Sequence, residues 1–131
     1  MEQDIVEQIM LTLRHAGEHK RLVSCQRFHA LFDVTDSLVS RYAALEEAVA
    51  RLAGESGVDY AALLALDNGL AGNEFYVRFR RTRFGDYLAL LGSQMNEHSL
   101  KKKRCLVEAE RARVFDNAIQ QRQNFAATEA A

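Results

Sequence analysis

The sequence predicts a mainly α-helical fold, and three observations support this. Apolar residues recur at intervals of three and four along most of the chain, as they do on one face of a helix. The chain contains no proline, the residue that most often interrupts helices. Its 131 residues, 48% of them hydrophobic, suffice to build one domain with its own core. We therefore expect a small bundle of helices.

The first helices are predicted from apolar spacing and from residues that end or cap helices. A first helix is expected over residues 3–16, on the spacing of Ile5, Val6, Ile9, Met10 and Leu13. Gly17 is expected to end it, because glycine tolerates the left-handed conformation that follows many helices. A shorter second helix is expected over 22–32 and is followed by a turn. Thr35 or Asp36 would then cap the third helix.

The third helix has the clearest periodicity in the chain. Its apolar face steps by four and three through Leu38, Tyr42, Leu45, Val49 and Leu52. Gly54 is expected to end it. Asp59 is expected to cap a fourth helix that reaches Leu66.

The segment 74–91 fits two different structures. In "EFYVRFRR", apolar and polar residues alternate with a period of two, which favours a strand and hence a short β-hairpin. A helical alternative rests on the spacing of Phe84, Tyr87, Leu88 and Leu91. The hairpin is the favoured prediction, and the helix remains open.

The end of the chain predicts one long helix over residues 97–125. Its narrow apolar seam consists of Leu100, Val107, Val114, Phe115, Ala118 and Phe125. A long helix with such a seam often packs on a partner subunit, so we predict a homodimer. The corresponding division of the chain is a domain over 1–92, a dimerisation helix over 93–126 and a frayed tail over 127–131.

Charge is unevenly distributed although the net charge is only −1. Residues 33–74 contain eight acidic and two basic side chains, whereas residues 75–104 contain two acidic and eight basic ones. Such segregation indicates either a charged partner or pairing between the two regions.

Residues 25–44 resemble the helix-turn-helix of bacterial and phage DNA-binding regulators. Two sets of matching positions carry the resemblance. Thr35 is the small hydroxyl residue that caps the second helix of the motif, and the matching apolar residues are Phe28, Phe32, Val34, Val39 and Tyr42. The resemblance implies a helix that reads the major groove of double-stranded DNA. The residues that would face DNA are then Thr35, Asp36, Ser37, Ser40, Arg41 and Ala44.

The basic region would supply the phosphate contacts that such binding needs. If residues 74–91 form a hairpin, it resembles the basic wing of winged regulators. The predicted contacts are Arg78, Arg80, Arg81, Arg83, Lys101, Lys102 and Lys103. Two alternatives stay open. The arginines could pair with the acidic residues of 33–59, or, together with neighbouring aromatic rings, they could bind single-stranded nucleic acid.

Other features of the sequence narrow the class of function. The histidines of "HAGEH" lack a third metal ligand at a recognisable spacing, and neither cysteine has an activating base beside it, so we expect no enzyme, no metal and no cofactor. No apolar run is long enough for a membrane span, and two distant cysteines suggest a reduced, cytoplasmic protein. The prediction is a cytoplasmic, homodimeric DNA-binding regulator. The alternative is a protein-interaction module with complementary acidic and basic surfaces.

Overall fold

The computed structural model describes residues 2–91 and 99–130 of the chain, and the side chains of 4–91 and 99–128. Helices dominate these ranges, so the predicted mainly α-helical fold with a long C-terminal helix is confirmed. The described elements are α1 (Glu2–Glu18), β1 (Val23–Ser24), α2 (Cys25–His29), α3 (Leu38–Ala53), a 3-10 helix (Tyr60–Leu63), β2 (Leu64–Ala65), α4 (Asn73–Thr82), α5 (Phe84–Leu91) and α6 (Leu100–Ala130).

Helix α1 continues past the glycine that was expected to end it. Gly17 lies inside the helix at a crossing with α6, where an added Cβ would lie 2.9 Å from the Cβ of Ala118. The helix ends instead through Lys20, whose φ is +53°. The N–H of Arg21 donates to the carbonyl of Ala16 at 2.8 Å, which completes a Schellman-type end. The glycine therefore permits close packing, and the left-handed residue that follows the helix is Lys20, three positions after Gly17.

The predicted second and fourth helices are shorter than expected, because two extended segments pair beside them. Val23 of β1 pairs in parallel with Leu64 of β2, and this pairing requires extended backbone at both positions. Helix α2 is consequently one turn long, and Phe28 is its buried residue. The predicted cap at Asp59 is confirmed, since its Oδ1 accepts a bond from the N–H of Ala61 at 2.9 Å.

Helix α3 lies where the periodicity predicted it and ends at Gly54, whose φ is +52°. Its cap is Ser37 rather than Thr35 or Asp36. The Oγ of Ser37 accepts a hydrogen bond from the N–H of Ser40 at 3.1 Å, which satisfies one of the free N–H groups of the first turn.

The favoured hairpin over 74–91 is wrong, and the helical alternative is confirmed as α4 and α5. Phe75 and Phe79, one helical turn apart, are both buried, and so is Tyr76 beside them. Val77, which the alternating pattern placed on the buried face, is exposed. The apparent period of two arose because a buried arginine, Arg78, occupies a position that the pattern counted as polar and outward.

Two hydrophobic clusters form the core, and α6 contributes to both. One cluster unites α1, α3 and the 3-10 helix with Val114 and Ala118 of α6. The other unites α4 and α5 with Leu106 and Val107. The middle of the seam that was predicted to bind a second subunit is therefore buried within one chain. Its two outer members, Leu100 and Phe125, are exposed.

Within residues 2–91 and 99–130, none of the helices combines the length and apolar character that crossing a bilayer requires.

Candidate interaction groove

An open groove of about 750 Å³ lies between α3 and α4. Apolar side chains from four elements contribute to it, and they include Phe28, Leu38, Val39, Tyr42, Leu64, Leu66 and Val77. Several of these side chains point into solvent: Leu38 is 60%, Val39 81% and Val77 55% exposed. Clustered exposed apolar residues are uncommon on a monomeric protein and typically mark a surface that binds something.

Two of the five apolar residues that carry the helix-turn-helix resemblance lie at the surface. Val34 and Val39 were expected where two helices cross, yet Val34 is 92% exposed. Eight residues, 30–37, connect α2 to α3, and α2 itself has only five residues. Helices α2 and α3 meet through the rings of Phe28 and Tyr42, whose centroids lie 6.1 Å apart, while both valines stay at the surface.

Arg41 organises this connection. Its Nε donates to the carbonyl of Asp36 and its Nη2 to that of Asp33, both at 3.0 Å. Its Nη1 lies 3.4 Å from His29 Nδ1, and its guanidinium lies over the ring of Phe32 at 5.5 Å. Burial and the charge of Arg41 hold the pKa of His29 below its usual value. Two donors of Arg41, a residue predicted to contact DNA, are thus occupied by backbone carbonyls of the same segment.

The polar residues predicted to face DNA also hold the connection in place. Thr35 Oγ1 donates to the Oδ1 of Asp33 at 3.0 Å, while Asp36 Oδ2 accepts from the Asp33 N–H at 3.1 Å. The hydrogen bond from the N–H of Thr35 lowers the pKa of Asp33. Ser37 and Ser40 form the cap of α3 and are exposed. This end of α3 is accessible, but its polar groups are engaged locally.

Two of the predicted phosphate-binding arginines lie in a buried charge cluster with two carboxylates. Arg78 Nε donates to Asp59 Oδ2 at 2.6 Å, and both side chains are almost fully buried. Arg83 Nη1 donates to Glu110 Oε2 at 2.6 Å, and the same oxygen accepts from the N–H of Asp59 at 2.7 Å. Burial opposes the charge of Arg83, but the hydrogen bond and the charge of Glu110 outweigh it and raise the pKa of Arg83. Buried charges in this arrangement stabilise each other and are not offered to a ligand.

The remaining arginines of this region lie nearer the surface. Arg81 Nη2 donates to Glu46 Oε1 at 2.8 Å, and both side chains are about half exposed. This pair bridges α3 and α4 at the rim of the groove. Arg80 is half-buried on the same helix, and Ala44 is half-buried on α3 against the first core cluster. Arg78 and Arg81 thus both pair with acidic residues of 33–59 inside one molecule. This is the alternative in which the acidic and basic regions of the chain pair with each other.

The lysines at the start of α6 form a separate basic surface. Lys101 and Lys102 are exposed, and Lys103 lies over the ring of Tyr76 at 5.4 Å. Ser99 caps this helix end, since its Oγ accepts from the N–H of Lys102 at 3.1 Å. None of these lysines contributes to the groove lining.

One wall of the groove is the loop after β2, and two arginines of α6 hold it. Arg111 donates to the carbonyls of Ala62 at 2.6 Å and Gly69 at 2.9 Å, and Arg104 donates to that of Asn68 at 3.0 Å. Burial lowers the pKa of Arg111. These bonds hold the loop after β2 against α6, so this wall of the groove is fixed in place.

Glu74 is a half-buried acidic residue of the groove lining that sequence reasoning did not single out. Its Oε2 accepts a hydrogen bond from the N–H of Phe75 at 2.6 Å. Burial raises the pKa of Glu74, although that hydrogen bond and the charge of Arg78 oppose the shift. Burial, and then the charge of Glu74, also raises the pKa of the nearby Cys25 thiol. The groove is therefore a mainly apolar surface with a half-buried carboxyl group in its lining. The sequence signal for it was the pair of consecutive apolar residues Leu38 and Val39.

No cluster of three or more histidine, cysteine, aspartate or glutamate side chains able to hold a metal occurs in the part of the chain that the structure describes. Comparison with known proteins gives no match to a family model, to a curated protein or to a solved structure.

Proposed function

We propose that this chain is a protein-interaction module that binds an amphipathic helix in the groove between α3 and α4. The observation that carries the proposal is the cluster of exposed apolar side chains, with Leu38, Val39 and Val77 at its centre. Helical segments commonly bind such grooves through apolar residues at positions i, i+3, i+4 and i+7. The firmly held walls support this proposal, because a preformed groove loses little conformational entropy on binding.

Binding of double-stranded DNA is the competing proposal, and the charge pairs weigh against it. Affinity for DNA comes largely from cations that neutralise phosphates. Arg78 and Arg83 could reach phosphates only by leaving Asp59 and Glu110 as unpaired buried charges. The exposed lysines 101 and 102 stay available, so a duplex remains a necessary comparison in any test.

The test compares two leucines that are equally exposed, one inside the groove and one outside it. Leu38 lies in the groove and Leu11 lies on α1 outside its lining, and each is 60% exposed. Wild type, Leu38→Asp and Leu11→Asp are titrated with a fluorescent amphipathic helical peptide and with a 20-base-pair duplex. Wild type should bind the peptide with micromolar affinity, Leu38→Asp should weaken it at least tenfold, and Leu11→Asp should leave it unchanged.

The same titrations contain the results that oppose the proposal. Equal loss in both aspartate variants would mean that the peptide does not occupy the groove. Duplex binding that falls steeply with salt, persists in Leu38→Asp and weakens in Lys101→Ala/Lys102→Ala would favour the DNA-binding proposal instead.

We further propose that the module acts in the cytoplasm and self-associates through α6. Cys25 and Cys105 are both free thiols, the state that a reducing compartment maintains. Self-association is supported by the exposed outer part of the α6 seam, where Phe125 is 66% exposed.

A further inference from the structure

The C-terminal end of α6 extends beyond the core. The helix has 31 residues and is therefore about 45 Å long. Its last buried residue is Ala118, and every residue from 120 to 128 is exposed. Isolated helical ends of this length are marginally stable in water, so an exposed end benefits from packing against another surface.

This projecting end carries an apolar group and a cation on one face. Phe125 is three residues after Arg122, which places the two side chains on neighbouring positions of the helix surface. Ile119, half-buried at the edge of the core, precedes Arg122 by three residues on the same side. The face therefore presents apolar, cationic and apolar side chains in succession.

The groove lining contains groups of complementary chemistry. Leu38, Val39 and Val77 supply apolar contacts for an aromatic ring, and Glu74 supplies a half-buried carboxyl for a cation. Oxygen Oε2 of Glu74 accepts from the N–H of Phe75, and a guanidinium donor could bind the carboxyl as well.

We propose that the groove of one chain receives the projecting end of α6 from a second copy, with Phe125 against Leu38 and Val39 and Arg122 against Glu74. The inference rests on the proposed function, because it assigns an occupant to the same groove. Reciprocal exchange makes the assembly a closed dimer in which each chain supplies one helix end and one groove. The groove is then incomplete without residues of the partner copy.

The test is the association constant of the full chain, measured by sedimentation equilibrium across about 1–500 µM, a range that covers weak dimers. Wild type should dimerise. Leu38→Asp and Phe125→Ser should each weaken dimerisation roughly 30-fold, as expected when a central apolar contact is lost. Leu11→Asp and Gln120→Ser, on exposed surface outside the contact, should leave it unchanged.

Mixing the two defective variants provides the sharper observation. Phe125→Ser retains an intact groove and Leu38→Asp retains an intact helix end, so an equimolar mixture should form heterodimers through one good contact. Native mass spectrometry with a mass-tagged chain detects them. Pairing between two α6 helices predicts the opposite: Leu38→Asp would dimerise normally and Phe125→Ser would not be rescued.

The charge contact is tested by a double-mutant cycle. Arg122→Gln and Glu74→Gln should each weaken dimerisation roughly fivefold, and the double variant should lose no more than either single one. A wild-type chain that stays monomeric at 500 µM overturns the inference, as does full additivity in this cycle. If such a monomer still binds the helical peptide in a Leu38-dependent way, the proposed function stands while the self-association fails.

Discussion

The guanidinium of Arg78 holds the carboxylate of Asp59 with two hydrogen bonds, from Nε to Oδ2 at 2.6 Å and from Nη2 to Oδ1 at 3.0 Å. The same carboxylate caps the 3-10 helix through the N–H of Ala61. One ion pair therefore connects α4 to the start of the 3-10 helix. These two hydrogen bonds explain why Arg78 is buried in the fold, although the sequence predicted it as a residue that binds a ligand.

We expect Arg78→Met to lower the free energy of unfolding by roughly 3–5 kcal/mol, because removal of the cation leaves Asp59 as an unpaired buried charge. Urea denaturation followed by circular dichroism measures this directly. The matched control is Arg81→Met on the same helix. Its pair with Glu46 is about half exposed, so we expect a cost below about 1 kcal/mol. Similar losses for the two variants would show that the Arg78 pair is no stronger than a surface pair.

Gly17 is the residue at which a normally favourable substitution should be harmful. Alanine stabilises most helix interiors relative to glycine by up to about 1 kcal/mol. Here the new Cβ would lie 2.9 Å from the Cβ of Ala118, so α1 and α6 would have to move apart. We expect Gly17→Ala to destabilise the protein by about 1–3 kcal/mol, measured by thermal and urea unfolding.

A second glycine in a helix provides the control for that result. Gly85 of α5 has no atom within 4 Å of its would-be Cβ, so Gly85→Ala should be neutral or stabilising. Adding Ala118→Gly to Gly17→Ala should recover part of the lost stability, because it removes the colliding methyl group. If Gly17→Ala raises stability as Gly85→Ala does, the helices are not in close contact at this crossing.

The helices that were predicted well are those in which the spacing of apolar residues within the helix itself is enough to identify it. Helices α1 and α3 and the long α6 each bury an apolar stripe, and their spacing is visible without knowledge of the partners. The hairpin prediction failed for a physical reason. Arg78 counts as outward in any pattern of polar and apolar residues, and its burial depends on Asp59, nineteen positions away.

The candidate site was less predictable than the fold, since it depends on how several segments come together. Thr35, Asp36 and Arg41 proved to be donors and acceptors of the 30–37 connection. Arg78, Arg81 and Arg83 proved to be members of ion pairs, and only the folded chain displays these relationships. Leu38 and Val39 were visible as apolar residues. Their exposure follows from how α2, the 30–37 connection and α3 pack together, and no local pattern reports that.

Tyr60 should make stability depend on pH in the alkaline range. Its hydroxyl donates to Asn117 Oδ1 at 2.7 Å, and burial raises its pKa to about 12. The folded state therefore holds the proton more tightly than the unfolded chain, whose tyrosines titrate near pH 10. Because of this difference, the stability that Tyr60 contributes is present below about pH 10 and is lost as the pH rises towards 12. At pH 7 we expect Tyr60→Phe to cost about 1 kcal/mol through the lost hydrogen bond.

The measurement is the difference in unfolding free energy between wild type and Tyr60→Phe at several pH values from 7 to about 12, around the titration of tyrosine. The difference isolates this residue from the other tyrosines, which titrate in both proteins. We expect the advantage of wild type to shrink above about pH 10 and then reverse. Parallel stability curves over the whole range would show that Tyr60 titrates alike in the folded and unfolded chains.

Lys20 occupies a position where glycine is favoured, and its replacement should stabilise the fold. Its φ of +53° places a side chain in the left-handed region, which costs a non-glycine residue about 1–2 kcal/mol. The N–H of Lys20 donates to Gly17 at 3.3 Å, and the next N–H donates to Ala16, so the backbone is held in this conformation. Glycine adopts it without strain but has more freedom in the unfolded chain, which offsets part of the gain.

We therefore expect Lys20→Gly to raise the free energy of unfolding by about 0.5–1 kcal/mol, measured by urea denaturation. Lys20→Ala separates this backbone effect from the loss of a charge. It removes the ammonium and keeps the Cβ, so it should not stabilise the protein. An equal gain in both variants would assign the effect to charge, whereas a gain confined to glycine would establish that the end of α1 is held in a conformation that the native side chain disfavours.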